Sequence, residues 1–414
     1  MDLWRKNLYI LWGTQFLAMV GMNLVVPFLP FFIRELGTTN PDDLSRLSGI
    51  AFSGPFLLSL IFTPIWGMLG DRYGRKAMVV RALFGLGLSQ ALIGLSQNVW
   101  HLLLFRILQG AISGFIPAAL ALVSTNSPKE RTGYALGLLQ SSSAAGMVLG
   151  PFVGGILADL IGYRAIFFVT ASLCFVGAFV VISQVKEVQK PHQAGRKYTV
   201  VDNYRLMFTD KRLRVVGVLF VIGQISVLMA EPLFALFIET FKTGTRYLST
   251  LAGGIFSIAG LFMVVSAPWW GKRNDRTGYR KNLTIAFAVT ALCYAGHLVV
   301  TDLIQLSILR SILGFARGGV LPALYALTST YSPPERRGGM MAIASSLTVL
   351  GNLIGPIVGG LSAGHFGLLA PFAVNSIMLL LAGLFVWNTL DERAGDGRTP
   401  AADELADRHI VRVE

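Results

Sequence analysis

Charge is scarce in this chain. Asp, Glu, Lys and Arg make up 14% of its 414 residues, against roughly a quarter in an ordinary soluble domain. Cysteine is nearly absent: Cys174 and Cys293 both sit within apolar stretches, so the sequence supports neither a disulfide framework nor a cysteine metal centre. The five histidines, His101, His192, His297, His365 and His409, show no metal-site spacing such as HExxH. No GxxxxGK loop followed by Ser or Thr occurs, which argues against ATP drive within this chain. The expectation is therefore no metal and no cofactor.

What is abundant is apolar sequence, 53% of residues. A bilayer-spanning helix needs about 20 mostly apolar residues, so twelve spans of about 20 to 25 would use most of the chain and leave no room for a large soluble domain. Apolar runs between charged or Pro/Gly-marked breaks predict spans near 8–36, 46–70, 77–96, 99–123, 133–159, 163–185, 213–241, 247–271, 283–301, 303–328, 338–364 and 369–390. The first run is too long for a signal-peptide core and reads as a retained span. The fold class expected is an all-α integral membrane protein.

The formal charge of +13 would suggest nucleic acid in a soluble protein, but here the basic residues lie between apolar segments and report orientation. Of the 35 Lys and Arg, 26 fall on the side of the two termini, and only Arg34, Arg46, Arg164, Lys242 and Arg246 fall in the opposite loops. Both termini are expected in the cytoplasm, with no nucleic-acid partner. The longest polar break, 187–212, divides the spans six and six, giving a first half at 1–186 and a second at 213–390. Residues 200–214 read either as a short helix on the anionic inner leaflet or as plain linker. The tail at 391–414 mixes charges with few apolar residues and reads as disordered.

Internal repetition is the most specific signal. Pro64, Trp66, Gly67, Asp71, Arg72 and Gly74 recur 204 positions later as Pro268, Trp270, Gly271, Asp275, Arg276 and Gly278, as do Arg106 and Gly110 as Arg310 and Gly314. At an offset of 205, Gly146, Gly150, Pro151, Gly154 and Gly155 return as Gly351, Gly355, Pro356, Gly359 and Gly360. Six spans separate the copies, so the halves share one topology and are related by a pseudo-two-fold axis along the membrane normal.

The paired GxxxDRxGRK-type loops resemble the signature of the major facilitator superfamily. The GxxxGPxxGG segment at 146–155 resembles the antiporter motif of its twelve-span drug:proton antiporters. The resemblance covers about residues 5 to 390 and implies two six-helix bundles that rock about a central site. In the second loop Tyr279 stands where the first has Arg75, which displaces its basic cluster.

In the loop at 67–76, Gly67 permits close helix approach and Gly74 a tight turn. With Arg72, Arg75, Asp275 and Arg276, Asp71 forms the expected cytoplasmic gate. Its carboxylate suits the positive end of a helix dipole, and the resemblance implies that this helix is span 11, starting at Gly338 and Gly339. Ser142, Gly146, Gly150, Gly154 and Ala158 repeat every four residues and form a smooth ridge, repeated as Gly351, Gly355, Gly359 and Ala363. Such faces let backbones pack closely, Pro151 and Pro356 each remove a helix hydrogen bond beside them, and the resemblance implies that the ridges seal the interface between halves. Static packing is the alternative.

Charges inside spans cost about 2.5 to 3.5 kcal/mol each on insertion scales, so each needs a reason. Glu231 is the acidic residue deepest within a span, and Arg106 and Arg310 are expected at its depth, in the outer half of the membrane. The resemblance implies that spans 1, 4, 7 and 10 line the cavity. Moving a guanidinium toward or away from a buried carboxyl loads or releases a proton, which makes Glu231, Arg106 and Arg310 the candidates for proton coupling, with a permanent ion pair as the alternative. Arg317, seven residues after Arg310, shares its helix face, whereas Arg81 is expected to snorkel toward the inner headgroups.

Candidate cavity residues are Gln15, Met19, Asn23, Gln140, Met147, Gln224, Met229, Arg317 and Asn352. Met suits promiscuous surfaces because it repacks around different shapes; ordinary packing or lipid contact is the alternative for most such lining residues. Three arginines against one glutamate make the cavity positive and predict tolerance of neutral or anionic compounds. The reading is a monomeric, proton-coupled exporter of small lipophilic drugs in a bacterial inner membrane, surrounded by lipid. A transporter of one metabolite is the alternative. No catalytic constellation of an enzyme is found, and a channel would not need a duplicated gate loop.

Overall fold

A computed structural model describes residues 2–112, 114–187, 199–241 and 247–390, which are helical with no strand among them. Twelve helical spans result. Span 1 is Leu3–Leu24 continued by Leu29–Glu35, span 2 Pro41–Tyr73, span 3 Arg75–Gly94, span 4 Val99–Ile112 with Phe115–Asn126, span 5 Thr132–Ile161 and span 6 Tyr163–Gln184. In the second half, span 7 is Lys211–Met229 continued by Phe234–Glu239, span 8 Leu248–Thr277, span 9 Tyr279–Gly296, span 10 Leu303–Arg317 with Val320–Tyr331, span 11 Arg337–Phe366 and span 12 Ala370–Thr389. Eleven are long and apolar enough to cross a membrane. Span 9 is shorter, 18 residues opening on Tyr279, Arg280 and Lys281, and packs against spans 10 and 12.

Local chemistry sets the ends. Asn40 accepts from the backbone of Asp42 and Asp43 to cap span 2, and Asp210 and Asp302 cap spans 7 and 10 in the same way. Such caps satisfy amides that have no partner in the first helical turn. Gly74 and its repeat Gly278 take left-handed φ values of 100° and 81° at the tight joints before spans 3 and 9, a region open to Gly without steric penalty. Residues 188–198 of the expected linker and the expected tail at 391–414 lie outside the described residues. The described end of the linker is a helix, Val200–Thr209, with a Thr199–Asp202 capping box. Its Asn203 packs on Gly339 at the start of span 11.

Four spans are interrupted, three of them where the sequence predicts a continuous run and one, span 7, where Pro232 after Glu231 already favours a local helix break. Span 1 breaks at Val26–Phe28 and span 7 at Glu231–Leu233, each as a single 3-10 turn carrying Pro27 or Pro232. These turns are repeat equivalents, 205 positions apart, and Glu231 stands where the first half has Val26. The carbonyls bared near the breaks are bonded from outside the helix. Thr170 donates to the Gly21 carbonyl at 2.9 Å, and its equivalent Asn375 donates to the Ser226 carbonyl at 2.8 Å, together with the Tyr294 hydroxyl. Spans 4 and 10 break at Gly114 and at Gly318–Gly319. There Trp66 Nε1 donates to the Ala111 carbonyl and its repeat Trp270 Nε1 to the Phe315 carbonyl, both at 2.7 Å. Inside a membrane such breaks persist only where protein groups replace the lost bonds.

The glycine ridges are corrected by one helical position. Gly146, Gly150 and Gly154 face Met19, Asn23 and Leu24 of span 1 in their own half, and Gly351, Gly355 and Gly359 face Gln224, Ile225 and Met229 of span 7 in theirs. The seam between halves runs along their neighbours. Gly155 lies on Ser249 and the Pro151 carbonyl on Gly253, joining spans 5 and 8, while Gly360 and the Pro356 carbonyl meet Gly49, joining spans 11 and 2. A step of one residue turns a helix by about 100°, so the face beside the ridge points at the other half.

These seam contacts all lie in the half of the molecule away from the termini, here the distal half. Toward the face carrying the termini the halves part: a methyl added at Gly67, Gly133, Gly137, Gly271 or Gly338 would meet nothing within 4 Å. The molecule is closed on its distal side and open on its terminal side.

Candidate functional site

The break in span 7 puts Glu231 at the first residue of its turn, and the break in span 10 follows directly after Arg317. The two meet there. Arg317 donates to Glu231 Oε1 at 3.5 Å, with side-chain exposures of 9% and 16%. It is the one ion pair among the described residues whose partners are both largely withdrawn from the surface. A guanidinium and a carboxylate in low dielectric need each other, since burying either charge alone is far costlier than burying the pair.

Arg310, expected as a coupling partner, instead spreads its guanidinium over the rings of Phe234 at 4.2 Å and Phe256 at 5.3 Å. It is 3% exposed, and its Nε has no hydrogen-bond partner. The ring faces offer it a negative quadrupole in place of an anion. Arg106, the other expected partner, donates to the Ala51 carbonyl at 3.0 Å and to Gln109 at 3.2 Å, all within the first half. Repeat-equivalent arginines thus do different work: Phe234, one of the two rings under Arg310, is Leu29 in the first half. A count of residues along unbroken helices puts Arg106 and Arg310 at the depth of Glu231; the breaks place Arg317 beside it.

Arg81 does not snorkel. It lies 3.6 Å over the ring of Trp66 and donates to the Ile112 carbonyl at 3.0 Å, holding the span 4 break from within the bundle.

Several expected cavity residues are built into helix packing instead. Gln15 is buried and donates to the Leu139 carbonyl and to Ser143. Met19 and Met229 are buried against Gly146 and Gly359, and Gln224 against Gly351. The glycine ridges explain this, because a groove of glycines accepts the side chains of the helix opposite. Asn23 bonds back to the Met19 carbonyl and abuts Gly150. Gln140 and Met147 are exposed, and Asn352 is half-buried.

At the terminal face the described contacts of the expected gate loop at 67–76 stay within the first half. Gly67 borders a pocket of about 260 Å³ lined by Trp66, Gly70, Arg75, Met78 and Gly114, all of the first half. Gly339 is covered by Asn203 rather than by the gate loop. The side chain of Asp71 lies outside the described residues. Arg72 rests on the neighbouring Tyr73 ring, and Asp275 and Arg276 are exposed. Arg75 donates from its side chain to the Ala121 carbonyl. The backbone amides of Arg75 and Lys76 donate to the two carboxylate oxygens of Glu187, at 2.8 and 3.0 Å. Glu187 reads in the sequence as the first residue of a linker; a carboxylate just past span 6, facing a helix that begins at an uncapped glycine, is the signal of its role. Tyr294 and Asn375 carry no motif, although the 205-residue offset pairs Asn375 with Thr170.

Comparison with known proteins places this geometry. The chain matches the Major Facilitator Superfamily over residues 11–304 and again over 263–412. It is 35% identical over 393 residues to multidrug resistance protein MdtG of Escherichia coli strain UMN026, covering 94% of this chain and 96% of that protein. The relative of the same name in strain SMS-3-5 is 34% identical over 390 residues. Among solved structures, the nucleoside transporter NupG superposes with a TM-score of 0.79 at 12% identity, over 94% of this chain and 100% of that one. A bacterial homolog of the human lysosomal transporter Spinster, inward-facing and unoccupied, gives 0.77 at 15% identity, over 97% and 99%. With two six-helix bundles, a duplicated gate loop and relatives matched along nearly its whole length, the chain belongs to the major facilitator superfamily.

Proposed function

We propose that this protein is a multidrug efflux transporter that exchanges protons for small lipophilic compounds across a bacterial inner membrane, with both termini in the cytoplasm. Its resemblance to the MdtG proteins along 94% of the chain supports the substrate class, and the excess of Lys and Arg on the terminal side supports the orientation. On this reading the open terminal face admits drug from the cytoplasm or the inner leaflet, and the closed distal half bars it from the outside.

The observation that carries the coupling is the Glu231–Arg317 pair at two helix breaks. In the terminal-open state the guanidinium neutralises the carboxylate. When the bundles rock and spans 7 and 10 shift, a carboxylate parted from Arg317 is left in a medium that does not solvate it, and a proton taken up from outside neutralises it instead. Return to the terminal-open state re-forms the pair and releases the proton inward. Arg310 keeps its positive charge on aromatic faces throughout, which favours neutral or anionic compounds over permanent cations.

The test is drug accumulation in inside-out vesicles under an imposed proton gradient. Glu231→Gln is expected to abolish uphill accumulation while leaving equilibrative drug exchange; uphill transport at the wild-type level in that variant would remove Glu231 from the coupling.

A further inference from the structure

Glu239 and Arg34 are repeat equivalents, 205 positions apart, yet they touch each other. Arg34 donates through both terminal nitrogens to both oxygens of Glu239, at 2.8 and 2.7 Å. Two equivalent points of a two-fold arrangement can meet only near the axis relating them. The pair therefore marks where the pseudo-two-fold axis leaves the distal face, between the two halves. Repeats that began alike have here become opposite charges that close on one another.

Two further contacts flank it. On one side Asp159 of span 5 accepts from the backbone amides of Ser249 and Thr250 and from the Thr250 hydroxyl, at 3.2, 2.8 and 2.6 Å, so a first-half carboxylate caps a second-half helix. On the other side Arg46 of span 2 donates to the Gly364 carbonyl of span 11 at 3.1 Å. Gly364 is the repeat equivalent of Asp159, so the flanking contacts sit at matching places and use different chemistry.

We infer that Arg34 and Glu239 are the positioning pair of distal closure, whose two-pronged bond has to break each time the molecule opens outward. The bond joins the ends of the two short helices Leu29–Glu35 and Phe234–Glu239, which start at the turns of spans 1 and 7. The second of these begins just after Glu231, so the pair restrains the same short segment that carries the buried carboxylate. Parallel N–H···O bonds between guanidinium and carboxylate fix orientation as well as distance. Rocking of the halves cannot open the distal face without separating groups on the axis, and the flanking contacts, which bridge the same seam, part with them. The inference concerns the balance between distal-closed and distal-open states and stands whether or not Glu231 carries the proton.

The experiment places spin labels at Trp100→Cys and Ile304→Cys, exposed repeat equivalents at the distal starts of spans 4 and 10. The native Cys174 and Cys293 are buried and do not compete for label. Distances are measured in lipid nanodiscs for the parent, for Arg34→Gln, for Glu239→Gln, and for the charge-exchanged double variant Arg34→Glu with Glu239→Arg. Each single variant is expected to raise the ratio of distal-open to distal-closed molecules about threefold to fivefold, the upper part of the range for a partly exposed charge pair. The exchanged pair is expected to restore the parent distribution. Unchanged distances in both single variants would overturn the inference, and so would an exchanged pair that behaves like the singles. Should a single variant fail to fold, Arg34→Lys, which keeps the charge and loses the two-pronged geometry, is expected to fall between parent and exchanged pair on one side and the remaining single variant on the other; a parent-like distribution for it and for the remaining single variant would also overturn the inference.

Discussion

Glu231 and Arg317 each occupy a place where the helix hydrogen-bond ladder is interrupted, and their partnership follows from that. Removing one member leaves the other charged in a site nearly closed to water, the most destabilising change available to a buried pair. Arg317→Met is therefore expected to lower the thermal stability of the purified protein more than the double variant Arg317→Met with Glu231→Gln. A double-mutant cycle should give a coupling of about 1–3 kcal/mol; additive losses would mean that the pair is not coupled. Arg310 is held differently, on two aromatic faces. Charge on a helix was readable along the chain, but its partner was not, because a turn of 3-10 helix and a glycine pair alter both the rise and the rotation that a count of residues assumes.

At the scale of elements, adjacent glycines have separate duties. Gly154 seats span 5 on span 1 within one bundle, and Gly155 seats the same helix on span 8 of the other bundle. A methyl at either place runs into backbone that cannot swing aside, yet the consequences differ. Gly154→Ala is expected to destabilise the protein by about 1–3 kcal/mol, as overpacking of a fitted core does, which thermal unfolding measures. Gly155→Ala is expected to leave unfolding nearly unchanged and to increase labelling of cysteines introduced along the distal seam, since two bundles can part by a fraction of an ångström without disturbing either. Equal stability losses in the two variants would contradict this division. The four-residue spacing of small side chains announced close packing, and that much was legible; which neighbour fills the groove depends on how each bundle is rotated, which a linear pattern does not encode.

At the scale of the whole molecule, the distal half is sealed by backbone-to-backbone contacts of spans 2 with 11 and 5 with 8, the Arg34–Glu239 pair and the Asp159 cap, and the terminal half is open. Lipid is as apolar as the surface it covers, so helix association here relies on close van der Waals fit and on polar bonds. Accordingly the seam uses glycine, proline carbonyls and hydrogen bonds at its points of closest approach. Orientation is testable directly. A fluorescent reporter that folds only in the cytoplasm should be active when fused to either end of the chain, and a reporter active only outside should be silent at both; the reverse pattern at either end would overturn the assignment made from 26 of 35 basic residues.

The number of spans, the internal repeat with its two like loops and the need for a partner at Glu231 were all written in the chain itself, because hydropathy, repeat spacing and the cost of burying charge are properties of sequence. The choice of Arg317 as that partner, the burial of Gln15 and Met229 in glycine grooves, the cap that Glu187 places on span 3 and the closing of the distal face on Arg34 and Glu239 were decided only when the helices packed. Each of these depends on breaks and rotations that bring residues far apart in the chain to within hydrogen-bond reach, and such distances are set by tertiary contact alone.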